Sequence, residues 1–380
     1  MVEARYIRRV VFVTGALALV VGCRALNAVA ADAGADGGDD AAAGASAVGN
    51  EPPTRLEPPV VHPAPDVMVE TIAGSSASGA ADGVGAAAQF ENPVGVFLDA
   101  SGALLVTEYD GGRLRKVPPS GPTVTLATGF RDPFALLATE EAIYVQTDRD
   151  RNGGKGPTTG TLWKLPLSGG VPEVFLETGG RPRGLARLLD GRVVMTDRER
   201  HSISILNLAD GVVTPLAGSG TAGFVNGRGA EAQFNDPYGV AVLPDGNVLV
   251  ADAMNNVIRR VTLDGDVTVF AGEGYPGMRD DADKQRARFD FPQDVAVDAA
   301  GNVYISDTYN HRIRRITSTG GVETVAGDGT QGHADGPGAS ARFYGQEQIE
   351  VSPDGKAVYV SDGNGGEGEA YHRIRKITIP

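Results

Sequence analysis

Cysteine is nearly absent from this 380-residue chain, in which Cys23 is the only one. A single thiol excludes an intrachain disulfide and a zinc site built from several thiolates. Positive charge is also scarce, with 34 Lys and Arg against 48 Asp and Glu and a formal net charge of −14. Such a chain repels phosphate backbones, and no basic stripe or finger-type metal motif offsets the repulsion, so we expect no nucleic-acid partner.

Long hydrophobic runs are lacking as well. The uncharged, mostly apolar run at residues 10–22 would span only about 20 Å as a helix, which is too short for a bilayer core. It follows Arg5, Arg8 and Arg9, and this pattern is typical of an export signal.

The end of that run, Leu-Val-Val-Gly-Cys at residues 19–23, resembles the bacterial lipobox, in which cleavage before the cysteine exposes a thiol for acylation. The resemblance implies a lipoprotein-type signal peptide over residues 1–23 and lipidation of Cys23. The protein would then be anchored to a membrane of the bacterial cell envelope, on the extracytoplasmic side. An Ala-Val-Ala sequence ending at Ala30 leaves ordinary cleavage and secretion as the alternative.

Residues 24–66 contain few of the large apolar side chains that a core needs. Their first part is rich in Ala, Gly, Asp and Ser, and six prolines follow between residues 52 and 65. These compositions predict a disordered, partly extended tether that precedes a globular domain over residues 67–380.

The globular part consists of one unit that occurs six times. Glycine (53) and proline (23) are abundant, so turns are frequent and long helices are not expected. Short apolar runs bounded by Gly, Asp and Pro predict strands, and four strands per unit of roughly 50 residues predict a propeller blade. An acidic residue ends the second strand of each unit, at positions 108, 148, 197, 252, 307 and 362.

The two ends of the repeat array complement each other. The sixth unit ends after its third strand, whereas a surplus strand stands at residues 67–74 and is similar to residues 322–327. Pairing this strand with the last unit protects an exposed edge. The sequence therefore predicts an all-β fold, a six-bladed β-propeller closed by an N-terminal strand that completes the last blade.

Residues 237–260 and 292–315 both read as Pro-x-x-Val-Ala-Val followed by Val-x-x-x-Asp and Ile-Arg-Arg. This pattern resembles NHL repeats, and the resemblance covers about residues 67–380. It implies an NHL-repeat six-bladed β-propeller protein, although the second and third units drift toward the Tyr-Trp-Thr-Asp repeat type. NHL-like amidating lyases and six-bladed lactonases are similar to this fold, and their channel metal implies an enzymatic alternative with Asp294 and Glu347 as candidate ligands.

The first strands of the blades are predicted to begin at one mouth of the central channel. A cation, an aromatic ring, carboxylates and amides at that mouth would suit a small polar ligand, or would only hydrate a solvent-filled channel. The candidate ligand-binding residues are Arg183, Tyr238, Gln293, Asp294, Glu347 and Gln348.

A second candidate site lies after the second strand of unit two. Asp148, Asp150 and Asn152 alternate ahead of a glycine, as at the start of a calcium loop. Thr159 stands where such a loop places its bidentate glutamate, so a solvated loop without Ca²⁺ or another divalent ion is the alternative. No other cofactor is predicted.

Other recurrent residues are interpreted as structural. Four long inserts between units end in a phenylalanine that we expect to pack between blades, namely Phe90, Phe234, Phe289 and Phe343. We expect His201, His311, His372 and the matching Asn256 to tie strand ends together. We expect the recurrent acids to accept turn hydrogen bonds, and the recurrent arginines to make outer-surface or inter-blade contacts at Arg259, Arg260, Arg314, Arg315 and Arg375.

No nucleophile elbow, Walker loop or His-Glu-x-x-His motif is present, and we identify no catalytic residue. The sequence therefore favours a monomeric, envelope-tethered, non-enzymatic binding or scaffold propeller. It would recognise a protein, peptide or glycan through its loop-rich face. The alternatives are a metal-dependent lyase or lactonase-like hydrolase with its site in the central channel, and a purely structural subunit of an envelope complex.

Overall fold

A computed structural model of the protein describes residues 66–364 and 371–380. The predicted signal peptide, Cys23 and nearly all of the predicted tether lie outside the described residues. Within them there are 26 strands and five short 3-10 helices. No helix among the described residues has the length and apolar character needed to cross a membrane.

The strands form six sheets, which are arranged as blades around a central channel. The first strand of the chain is β1 (Met68–Ser75). Blades 1 to 3 comprise β2 (Pro93–Leu98), β3 (Leu104–Glu108), β4 (Arg113–Val117) and β5 (Val124–Thr128); β6 (Pro133–Ala138), β7 (Ala142–Thr147), β8 (Thr161–Pro166) and β9 (Glu173–Glu177); and β10 (Pro182–Arg187), β11 (Val193–Asp197), β12 (Ser202–Leu206) and β13 (Val213–Ala217).

Blades 4 to 6 follow the same order, with a two-residue strand added at the outer edge of two of them. They comprise β14 (Gly227–Arg228), β15 (Pro237–Val242), β16 (Val248–Asp252), β17 (Val257–Val261) and β18 (Asp266–Ala271); β19 (Pro292–Val297), β20 (Val303–Asp307), β21 (Arg312–Ile316) and β22 (Val322–Ala326); and β23 (Gly336–Pro337), β24 (Gln346–Val351), β25 (Ala357–Asn364) and β26 (Tyr371–Thr378). The 3-10 helices are Gly85–Ala87, Gly229–Glu231, Ala253–Asn255, Thr308–Asn310 and Gly338–Ser340.

Strand β1 closes the ring in the way that the sequence predicts. It pairs antiparallel with β26, so that Val69 lies opposite Ile377, and both side chains are buried. At its other edge, Met68 and Val69 pair with β23, and the N–H of Thr71 donates to the Asp335 carboxylate. The last blade is therefore completed by the first strand of the chain.

The two ends of the propeller differ in the length of their loops. The connections between the second and third strands, and those from one blade to the next, lie at one end, which we call the loop-rich face. Tight turns such as residues 243–247 lie at the other, the turn face. Four blades are preceded by long inserts, at residues 76–92, 218–236, 272–291 and 327–345. We call these blades 1, 4, 5 and 6 the regular blades, and we call blades 2 and 3, which follow short connections, the irregular blades.

The core lies between neighbouring sheets. The central strand β16 is buried at every position, because both of its faces pack against other blades. Phe234 is fully buried among Val194 and Ile203 of blade 3 and Val248 and Val250 of blade 4. Phe90, Phe289 and Phe343 occupy the equivalent places, so the prediction that the insert phenylalanines pack between blades is confirmed.

Polar ties join neighbouring blades near the channel. The Ser361 hydroxyl donates to the carbonyl of Val94 at 2.6 Å and thereby links blade 6 to blade 1. At the predicted histidine position, His372 Nδ1 accepts the backbone N–H of Asn92, and the matching Asn256 Oδ1 accepts that of Phe291, as expected. His201 makes the same tie to the N–H of Asp236. His311 does not make this tie, since its buried Nδ1 has no hydrogen-bond partner among the described residues.

Candidate functional site

In the regular blades, a buried ion pair fixes the insert on the loop-rich face. Arg314 on β21 donates to Asp307 at 2.7 Å, and both side chains are fully buried. The same guanidinium donates to the backbone carbonyls of Arg279 and Arg288, and it pairs with Asp280 of the insert. The insert thus surrounds a charge that is neutralised and hydrogen-bonded on every side.

The same arrangement recurs in all four regular blades. It pairs each recurrent acid with an arginine of the next strand, and the pairs are Glu108–Arg115, Asp252–Arg259, Asp307–Arg314 and Asp362–Arg375. Of the two expected settings, the outer surface and the contacts between blades, the first is excluded for Arg259, Arg314 and Arg375, which are fully buried and donate to carbonyl groups of the inserts between blades. Arg260 and Arg315 do lie at the outer surface, where they pair with Asp245 and Glu323 in partly exposed contacts.

The two irregular blades are joined by a buried ion pair that lies beside the channel. Asp148 accepts two hydrogen bonds from Arg183 of the next blade, at 2.6 and 2.8 Å. Tyr109 donates a third to the same carboxylate. Burial by itself would raise the pKa of Asp148, but the charge and hydrogen bonds of Arg183 outweigh it and hold that pKa well below its usual range.

The pairing of Asp148 with Arg183 bears on the predicted calcium loop, because it occupies one of the predicted ligands. The Asp148 carboxylate is already occupied by a cation, and Asp150 Oδ1 accepts the backbone N–H groups of Asn152 and Gly154. Among the described residues, no group of three or more His, Cys, Asp or Glu side chains is placed to hold a metal ion. The divalent ion at Asp148, Asp150 and Asn152 stays a prediction, and the ion pair opposes it.

Side chains fill the channel at the loop-rich face. The Arg183 guanidinium lies 4.0 Å from the centre of the Phe134 ring, and Phe134 contacts Tyr238 edge-on. Gln348 crosses the channel below them, because its Nε2 donates to the carbonyl of Arg183 while its Oε1 accepts the N–H of Val96. Three of the predicted mouth residues, Arg183, Tyr238 and Gln348, therefore meet in a closed plug.

The other predicted mouth residues are spread over blades 5 and 6. Gln293 is buried at the same level of β19 as Tyr238 is of β15, and Glu347 is only partly buried. Asp294 follows Gln293 and lies on the far side of the plug, where it lines a cavity. The predicted residues therefore divide between the closed end of the channel and its open part, and ligand binding by them stays a prediction.

The channel cavity occupies the part of the channel nearer the turn face. It has a volume of about 410 Å³ and is lined by the second halves of the six innermost strands. Most of the residues that line it are aliphatic, for example Val96, Ala186 and Ala241, but polar atoms, including those of Asp294, Gln348 and Glu350, make up more than half of its exposed wall.

The carboxyl of Asp294 is set between three blades. Its Oδ2 accepts the N–H of Ile349 at 3.0 Å. Its Oδ1 lies beside Gly239, where a Cβ would come within 1.7 Å of that oxygen, so only glycine leaves room for the carboxyl. Burial raises the pKa of Asp294 to about 7, against two backbone N–H groups that lower it.

Glu350 is the cavity residue that the sequence analysis missed. Burial, followed by the nearby charge of Asp294, raises its pKa to about 8. The equivalent positions of the other blades hold Phe97, Leu137 and three alanines (Ala186, Ala241 and Ala296). A lone acid at an otherwise apolar repeat position was the signal that could have identified it.

The loop-rich face of blades 4 and 5 exposes a patch of aromatic and methionine side chains. Met254 is 54% exposed, Tyr275 68% and Tyr309 62%. The Tyr309 ring stacks on Phe291 at 4.7 Å, which in turn contacts Tyr238 of the plug. We call the following residues the face patch: Phe224, Met254, Tyr275, Met278 and Tyr309.

Comparison with known sequences identifies the repeat. Residues 289–316 match the model of the NHL repeat family. The chain is 35% identical over 125 residues to Protein SUPPRESSOR OF QUENCHING 1, chloroplastic, of Arabidopsis thaliana, which covers 32% of this chain and 12% of that protein. It is 25% identical over 333 residues to NHL repeat-containing protein 2 of Bos taurus, and this alignment covers 80% of this chain and 41% of that protein. The chain thus spans less than half the length of these curated relatives.

Solved structures show the same architecture at low identity. An auxiliary nutrient binding protein from Bacteroides thetaiotaomicron has a TM-score of 0.66 at 18% identity, covering 82% of this chain and 76% of that one. A catalytically inactive virginiamycin B lyase from Staphylococcus aureus has a TM-score of 0.51 at 12% identity, covering 83% and 100%. A putative gluconolactonase has a TM-score of 0.53 at 14% identity, and the alignment covers 84% of this chain and 93% of that one. These likenesses show the fold alone.

Proposed function

Since the chain is an NHL-repeat β-propeller protein, we propose that it is a non-enzymatic binding or scaffold module that recognises its partner through the loop-rich face. The partner class is a protein, peptide or glycan. The face patch is the observation that carries this proposal, because exposed aromatic and methionine side chains gathered on one surface are typical of interaction sites.

The composition of the patch favours a protein or peptide over a glycan. Methionine adapts its shape to irregular apolar partners, and Met254 and Met278 stand among the aromatic rings of the patch. The inserts beneath them are held by the buried pairs Asp252–Arg259 and Asp307–Arg314. A surface fixed in this way loses little conformational entropy when a partner binds.

Envelope anchoring through Cys23 belongs to the same proposal. The described chain enters the propeller at the turn face, where Met68 pairs with Thr378 at the end of β26. The preceding residues therefore join the propeller at the end opposite the loop-rich face, and an anchor on them would leave that face available. Secretion without an anchor would leave the same face available.

A metal-dependent lyase or lactonase-like activity in the channel is the alternative. Propellers of this fold include proteins named as a lyase and as a putative gluconolactonase, so the fold does not choose between binding and catalysis. The closed plug at Arg183 supports binding. A purely structural subunit would use the same face and differs only in having a permanent partner.

The test compares two triple variants of the full chain. The face variant is Phe224→Ser, Met254→Ser and Tyr275→Ser, and the control, at comparably exposed positions of the turn face, is Leu167→Ser, Leu189→Ser and Leu263→Ser. Capture from solubilised cell envelope is quantified by mass spectrometry, and the same proteins are applied to an array of envelope glycans. We expect a protein retained by the wild type and the control and lost by the face variant. Loss of glycan binding alone would move the partner class to glycans, and unchanged capture by the face variant would refute the proposal.

A further inference from the structure

Two carboxyl groups in the channel cavity differ from the buried acids of the regular blades. Each recurrent acid there, such as Asp252 or Asp307, is paired with an arginine. No described arginine or lysine pairs with Asp294 or Glu350, and no described side chain donates a hydrogen bond to either of them. The one cation that lines the cavity, Arg187, is paired with Glu140.

A buried carboxylate without a counter-charge is costly, and a ligand that brings the counter-charge is bound strongly for the same reason. Asp294 is 7% exposed, and its remaining accessible surface faces the cavity. The absence of a side chain at Gly239 leaves the space that this carboxyl occupies, because any side chain at that position would collide with it. The carboxyl is therefore built into the wall.

The walls define the rest of the ligand. The cavity's volume of about 410 Å³ lies in the range of small-molecule sites and far exceeds that of a single ion. Aliphatic groups from all six blades surround the two acids, including Val96, Ala186 and Ala241. We propose that this cavity binds a small aliphatic ammonium compound, whose cationic group lies between Asp294 and Glu350 and whose carbon chain contacts the aliphatic wall.

A metal ion fits the same groups less well. Calcium takes six to eight oxygen ligands, whereas the cavity offers two carboxyls, and the Oε1 atom of Gln348 is already used by the N–H of Val96. An ammonium group needs only a few acceptors and donates directly to carboxylates. The ligand site is also separate from the face patch, because the plug of Arg183 and Gln348 lies between them.

Calorimetry on the full chain tests the proposal with butylamine as the probe, 1-butanol as its uncharged analogue and calcium chloride as the metal. We expect butylamine to bind with a Kd of about 1 mM or tighter and 1-butanol to give no measurable binding. Asp294→Asn and Glu350→Gln, which keep the shape of each side chain, should each weaken butylamine at least about tenfold. Glu323→Gln, which removes a surface carboxylate outside the cavity, should leave the affinity unchanged.

A further variant tests the site without altering its charges. Ala186→Leu narrows the aliphatic wall and should also weaken butylamine, while thermal melting confirms that each variant is folded. If Asp294→Asn does not fold, Glu350→Gln and Ala186→Leu decide the question. The proposal is overturned if butylamine does not bind the wild type, if the cavity variants bind it as the wild type does, or if calcium binds there and butylamine does not.

Discussion

The regular and irregular blades share a strand plan but use their buried charges differently. In a regular blade, the acid at the end of the second strand pairs with an arginine one strand away, as Asp307 does with Arg314. In the irregular blades, Trp163 and Ser204 occupy the register of that arginine. Without that arginine, Asp148 accepts hydrogen bonds from Arg183 of the next blade. Asp197 accepts backbone N–H groups instead.

The two kinds of blade therefore contribute to different parts of the molecule, the loop-rich face and the channel plug. Where the arginine is present, it holds a long insert, and the inserts with the loops beside them carry the face patch. Where it is absent, the long inserts are absent as well, and in blade 2 the acid Asp148 pairs with Arg183 in the plug that closes the channel.

The largest effect is expected from breaking a regular pair. Arg314→Met leaves Asp307 and Asp280 buried without their cation, and we expect a loss of about 3–5 kcal/mol of unfolding free energy, measured by denaturant titration. The matched variant Arg315→Met removes a partly exposed pair with Glu323 and should cost less than about 1 kcal/mol. Equal losses from the two neighbours would show that the buried pairs do not hold the inserts.

A double-mutant cycle at the plug sharpens the comparison. Asp148→Asn leaves Arg183 buried without its partner, whereas Asp148→Asn with Arg183→Met removes both charges. We expect a coupling free energy of about 2–3 kcal/mol, with the double variant more stable than the sum of the single losses predicts. A coupling near zero would mean that the pair does not stabilise the irregular blades.

The unpaired acids of the cavity predict a pH dependence near neutral pH, above the range of the paired Asp252, whose pKa burial raises only to about 6. Burial raises the pKa of Asp294 to about 7, so the folded protein keeps a proton that the unfolded chain has released. Stability must then fall as the pH rises through that value. Between pH 6 and pH 8, this group should remove about 1.4 kcal/mol of unfolding free energy. Asp294→Asn should flatten this part of the profile, and an unchanged slope would contradict the assignment.

The smallest effect on stability is expected at the face patch. Met254→Ser and Tyr275→Ser replace well-exposed side chains and should change the unfolding free energy by no more than about 0.5 kcal/mol. Melting temperatures of the two variants check this. A loss of several kcal/mol would identify these side chains as part of the core instead of a contact surface.

Repetition explains how much of this could be read from the sequence. Equivalent positions in six units revealed the blades, the closure by β1 and the buried phenylalanines, because each observation was made several times. It could not show on which side of a sheet the arginines lie, so outer-surface and inter-blade contacts were both left open for Arg259 and Arg314. The pair Asp148–Arg183 was out of reach for a further reason, because it breaks the repeat and its neighbours come from blades that are distant in sequence. Glu350 was missed although it stands out as an acid at an otherwise apolar repeat position.

Site-specific photocrosslinking tests the central claim, which is that the loop-rich face of the regular blades is the contact surface. A photoreactive residue is placed at Met254, which is 54% exposed on that face, or at Leu189, which is 76% exposed on the turn face. The two proteins are irradiated in intact cells. The account predicts a partner adduct from position 254 and none from position 189. Adducts of equal yield from both positions, or an adduct from position 189 alone, would contradict it.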